Sequence, residues 1–245
     1  MLATDKFDRA HLVVSYGHPV VNAGCESERT ARAASISSAV PAMADAAVLL
    51  QVLLSSSAAN LNSITEVIRG DVGLTIELLR LVSSDVDDPA ESISISDAVV
   101  HAGIGGLRFL ASQVELVSAS IPTSSLRKCE QFWSHARLTA LMAEEQAYKV
   151  ECDAEEAYIA GLLFRIGELP ALLGWNWGFT SVGSREIAGV LARMWNLPPR
   201  LAEILDGDDL QLASSSRTLL QLVRVADQQA WRVQGLLSKY ARKVF

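Results

Sequence analysis

The chain has 245 residues, with 21 basic against 28 acidic side chains, a net charge of −7 and a pI near 5.1. Half of the residues are apolar and 20% are charged, which excludes a disordered chain and allows a sizeable core in one large domain or two small ones. Fifteen Gly and seven Pro are too few for a many-stranded sandwich or barrel, and an acidic balance without a basic run argues against nucleic acid as the main partner.

Three cysteines, Cys25, Cys129 and Cys152, form no CxxC pair and no metal-type spacing. That is a reduced pattern, expected of a cytoplasmic protein. No apolar run approaches the ~20 residues that cross a bilayer, and His11–Tyr16 is too short for the core of a signal peptide. A soluble chain with no membrane contact is expected.

Residues 1–38 read as an N-terminal extension. Within it His11–Tyr16 is a short strand or an irregular hydrophobic clip, and Ala23–Ser38 is small, polar and rich in Ala and Ser. From Val40-Pro41 the period turns helical, with Met43, Ala46, Ala47, Leu49, Leu50, Leu53 and Leu54 at steps of three and four. Ser63 and Glu66 read as a capping box, Gly70 as a stop, and Asp71 as the cap of a helix carrying Leu74, Leu78, Leu79 and Val82. Residues 83–92 read as a loop. Ser96 then caps a short helix ending at Gly103, and Gly105-Gly106 opens the next.

Pro122 to Ser125 is the candidate boundary between an N-terminal helical subdomain, 39–125, and a second one, 126–245. Beyond it the pattern predicts helices over Phe132–Val150, Asp153–Leu163, Ser184–Trp195 and Pro199–Leu205, and a last one from Ser216 to about Leu237. The fold class is therefore all-α, many short helices in two subdomains.

Several stretches, in order, resemble the HDOD family, bacterial all-helical domains related to the HD phosphohydrolases. They are ITEVIRGDVGLTIELLRLV (64–82), Ser94-Ile95 with Ala98 through Gly103 and Leu107-Arg108, Phe132-Trp133-Ser134-His135, AYIAGLLFRIG (157–167) and Trp195-Asn196-Leu197-Pro198. The resemblance spans roughly residues 40–235.

An HD enzyme holds a metal with a His, a His-Asp pair, further His residues and a final Asp. By resemblance His135 stands at the first His and Asp227 at the final Asp, while Phe164-Arg165 replaces the His-Asp pair. Ser184 stands near another His position, and Asp208-Asp209 replaces a His-His pair. Two ligands are too few for a stable Zn, Mn or Fe site, and without metal nothing draws a water's pKa toward 7. No metal and no cofactor are expected.

These six positions, His135, Phe164, Arg165, Ser184, Asp208 and Asp227, are thus read as a relic pocket. Within it Arg165 is expected to pair with Asp227, in place of the vanished cation, with His135 beside them; the bland alternative has Arg165 turned outward. Trp175, Trp177 and Phe179 lie in a Gly-bounded segment and serve either as packing or as a partner surface. The resemblance implies a non-catalytic signalling module that contacts other proteins, in cyclic-dinucleotide or two-component pathways. A residual nucleotide-binding pocket or an HD-type phosphohydrolase is the alternative.

Overall fold

Val40 leads the chain into the fold along the helix that buries most of its surface. A computed structural model describes residues 39–56, 60–83, 94–175, 183–207 and 212–244. The Val40 N–H donates to Glu77 Oε1 at 2.8 Å, and Ala42 pairs with the chain before residue 117 through bonds to Glu115 and from Val117, each 2.9 Å. That isolated bridge is the one extended pairing among the described residues. Everything else regular is helix.

The first group is α1 (Ala44–Ser55), α2 (Leu61–Arg69), α3 (Val72–Ser83) and α4 (Ile95–Gln113), which pack on one another. Leu74, Ile76, Leu78 and Leu79 of α3 are wholly buried, each contributing roughly 1.5–3 kcal/mol of apolar burial. Asp71 caps α3 as its type and place demand, accepting from Leu74 N at 2.9 Å and from Met43 N at 3.0 Å. α4 is broken at Gly103, where φ is +59°, a conformation that favours glycine; the two helices expected there thus meet at one kink.

A short α5 (Val117–Ser120) leads into α6 (Thr123–Ala147), which packs on α7 (Ala154–Leu163) and on the long α11 (Ser214–Val244). A turn and a 3-10 segment, Ile166–Glu168, follow α7, then α8 (Leu169–Leu172), α9 (Ser184–Met194) and α10 (Pro199–Asp206). A Cβ on Gly161 would stand 2.9 Å from Ala140 Cα, so α6 and α7 touch backbone to backbone. That approach fixes His135 on α6 against the turn that follows α7.

Four sequence expectations need correction. The cap of α2 is Asn60, which accepts from Ser63 N at 2.7 Å; Ser63 is already inside the helix. The cap of α4 is Ser94, accepting from Asp97 N at 2.9 Å, and Ser96 lies in the first turn. α6 begins at Thr123 and ends at Ala147, where the expectation ran from Phe132 to Val150. Its first two turns are polar and mostly exposed, so no apolar period announces them. In the same way α11 opens at Ser214, two residues before the expected cap.

Arg69 joins the two groups of helices. Its guanidinium meets Glu144 of α6 at 2.5 Å and Glu155 of α7 at 3.6 Å and lies 3.8 Å from the Tyr158 ring centroid. The Tyr158 hydroxyl donates back to the Arg69 carbonyl at 2.8 Å.

Candidate functional site

His135 is placed by the α6 face that also buries Phe132, Ala136 and Thr139, a helical recurrence that turns its ring toward α11. The ring is buried, 2% exposed, and its Nε2 stands 2.8 Å from Asp227 Oδ1. Its Nδ1 meets the Gln234 side-chain amide at 3.2 Å. Asp227, Trp231 and Gln234 are four and three residues apart on α11, hence on one face. Trp231 stacks at a tilt on the His135 ring, centroids 4.4 Å apart.

Arg165 enters from the turn after α7. Its Nε donates to Asp227 Oδ1 at 2.7 Å and its Nη2 to Oδ2 at 3.2 Å, a two-pronged grip on the carboxylate. Nη1 turns to Glu168, and the guanidinium lies 5.2 Å from the Trp231 ring centroid. Oδ1 of Asp227 therefore receives two donors and Oδ2 a third.

Burial of Asp227 opposes its ionisation, but the bonds from His135 and Arg165 and the guanidinium's charge outweigh that and hold the carboxyl below its ordinary range. Burial likewise presses against the Arg165 charge and is overcome by Asp227 and Glu168. The guanidinium stays protonated and has no acceptor capacity.

The structure brings together three of the six positions singled out in the sequence, His135, Arg165 and Asp227. Phe164 is buried beside them and turns toward Arg185, whose guanidinium is 5.4 Å from its ring centroid. Ser184 is exposed at the start of α9, takes no part in the Asp227 network, and sets its backbone carbonyl against Gly167. Asp208 lies outside the described residues, as do Trp177 and Phe179. Trp175 is half-buried and packs edge-on against Trp195, centroids 6.4 Å apart.

Sequence reasoning missed Glu168, Trp231 and Gln234. The last two were signalled by their helical spacing from Asp227, and Glu168 by its place three residues after Arg165.

The residues present do not fit a metal of the HD kind. His135 and Asp227 are bonded to each other, and the second Asp227 oxygen is taken by a permanent cation. Among the described residues no three His, Cys, Asp or Glu side chains converge on a common point where an ion could bind.

The HDOD domain model matches residues 40–176, more than half of the chain. The chain belongs to the HDOD family. The match takes in α1 to α8 and stops before α9, so Asp227 lies beyond it, whereas solved structures of similar fold align over more of the length. The MmoQ response regulator from Methylococcus capsulatus str. Bath is 18% identical, covers 84% of this chain and 93% of its own, and gives a TM-score of 0.63. A virulence factor from Campylobacter jejuni subsp. jejuni is 18% identical, covers 84% and 83%, and gives 0.57. At such identity the likeness is one of fold. No curated protein matches the sequence.

Proposed function

We propose that this HDOD chain is a non-catalytic regulatory module that works in the cytoplasm by contacting other proteins, with His135, Arg165 and Asp227 as the remains of a metal site. One observation carries the reading: the Asp227 carboxylate is saturated by Arg165 and His135, and a guanidinium fills the place a cation would need. With no metal to lower a water's pKa, hydrolysis has no nucleophile. The Methylococcus neighbour is a response regulator, which favours a two-component setting for the partner. Phe164, buried next to Arg165, belongs to the relic pocket in this reading, and 39–125 and 126–245 are its two subdomains.

The test is metal content and phosphodiester hydrolysis of the full chain, purified without chelators and assayed with added Mn²⁺. The expected result is substoichiometric metal and no turnover above buffer. Stoichiometric Mn, Fe or Zn, with turnover abolished by Asp227→Ala, overturns it.

A further inference from the structure

α1 reads ADAAVLLQVLLS, apolar on nearly every side, and a helix of that kind is normally covered all round. Its inner residues Ala47, Leu50 and Leu54 are buried, yet Val48, Leu49 and Val52 are 55%, 48% and 58% exposed. Leu49 continues into a groove of about 710 Å³ between α1, α2, α6 and α11, to which Leu141 of α6 adds a second exposed apolar side chain. Asp45, Glu66 and Glu130 line it, with Arg137 as their one cation among the described residues. A helix with an apolar stripe and basic residues beside it would match this groove.

The end of α11 has that chemistry. Val233 and Gln234 form one edge of the groove, a Cβ at Gly235 would meet nothing within 4 Å, and Leu236 is 54% exposed. At Gly235 the helix is thus clear of the packed body, and it continues to Val244, about 15 Å further at 1.5 Å per residue. Leu236, Tyr240 and Val244 recur there at four-residue steps, with Lys239 and Lys243 at the same step one position earlier. With Arg232 and Arg242 these lysines make four cations after Asp227, and no acidic residue follows it. A chain of net charge −7 therefore ends on a basic helix.

We propose that this chain forms a two-fold dimer in which the end of α11 from each copy seats in the groove between α1 and α6 of the other. The edge of the groove is also the root of that helix, so a single two-fold axis beside Gln234 lets both copies exchange ends at once. The basic end then meets the acidic rim of Asp45, Glu66 and Glu130, and its apolar stripe covers Leu49 and Leu141. This inference is independent of the reading of the Asp227 site.

The test is sedimentation velocity on the full chain from low to high micromolar concentration. A dimer with a Kd of about 10 µM is expected, weakened at least tenfold when salt rises from about 0.05 to about 0.5 M. The variants K239E/R242E/K243E and E66K/E130K are each expected to stay monomeric, with the melting temperature of the dilute wild type. Their equimolar mixture is expected to dimerise again, because the acidic helix of the first suits the basic groove of the second, and the unchanged helix and groove still suit each other. E145K/E203K, a reversal of two exposed charges outside the groove, is expected to dimerise like the wild type. A wild type that stays monomeric throughout overturns the proposal and leaves the groove to another protein. A dimer that survives both sets of groove and helix reversals, or folded variants that do not pair on mixing, overturns it as well and puts the interface elsewhere.

Discussion

Arg165 and Asp227 are 62 residues apart and meet through two parallel hydrogen bonds, Nε to Oδ1 at 2.7 Å and Nη2 to Oδ2 at 3.2 Å. The pair ties the turn after α7 to the long α11, and its side chains are 28% and 10% exposed. Removing one partner leaves the other charge partly buried and unpaired, which costs more than the pair itself contributes. Arg165→Ala is therefore expected to destabilise the fold by about 2 kcal/mol, or roughly 5 °C in melting temperature for a chain of this size. Arg193→Ala, which breaks an exposed pair with Asp206, is expected to cost under about 1 kcal/mol. Equal effects in thermal melts would show that the Arg165 pair is no more than a surface contact.

The same pair sets an acid limit. The Asp227 carboxyl is held below its ordinary value in the folded chain, so its contribution is fully present above the unfolded value of about 4 and is lost as pH falls through the lowered folded value. The stability gap between wild type and Arg165→Ala should be constant from pH 5 to 7 and shrink below pH 4. Urea unfolding across that range checks it; a gap that widens in acid would contradict the ionic pairing.

Asp71 carries the opposite sign. It is fully buried with no charged partner, and desolvation pushes its carboxyl up to about 6 despite the backbone N–H groups of Leu74 and Met43. The Trp133 indole N–H approaches the same carboxyl without meeting hydrogen-bond geometry. The folded state then binds the proton more tightly than the unfolded one between pH 4 and 6. Stability from this group falls as pH rises through that window and is level above it. Asp71→Asn keeps an acceptor for Leu74 and loses the one for Met43, so it should cost about 1 kcal/mol at pH 4. It should also abolish the decline between pH 4 and 6, and a decline that persists in the variant would place its origin in another group.

The helical class was legible because the apolar period, the caps and the glycine stops agree over most of the chain. Asp71, Gly70 and Gly103 each end or start a helix where their chemistry predicts. The failures are also physical. Asn60 and Ser94 won the caps over Ser63 and Ser96 because several short polar residues stand near each start, and tertiary packing chooses among them. The first turns of α6 are solvated and bear no apolar signature. The site was half legible. His135, Arg165 and Asp227 came from a family pattern across more than 90 positions, and the need of a partly buried carboxylate for a counter-charge gave the Arg165 pairing. Trp231 and Gln234 were missed although they stand four and seven residues after Asp227, because only the face already marked by Asp227 on a 31-residue helix meets His135 and that spacing was not followed.

Restoring the lost pair is the sharpest test of descent from a metal site. Arg165 already reaches Asp227, so residue 165 faces the carboxylate, and a shortened acidic side chain there would exchange the fixed cation for a ligand. Phe164 is its buried neighbour, and F164H would add an imidazole. With His135 and Asp227, the double variant F164H/R165D has four N/O donors, the number a Zn or Mn site uses. Two effects oppose it. Arg185 lies 5.4 Å from the Phe164 ring centroid, close enough to repel a divalent ion, and the new carboxylate at 165 would stand against Asp227 until metal arrives. Weak binding is therefore expected, in the tens of micromolar, strengthened by adding R185A and abolished by adding D227A. Titration calorimetry with Zn²⁺ reads all four chains, the wild type being expected to show no heat at this site. A folded double variant that binds no better than the wild type, with or without R185A, would mean that positions 164 and 165 do not face the place where a metal once sat.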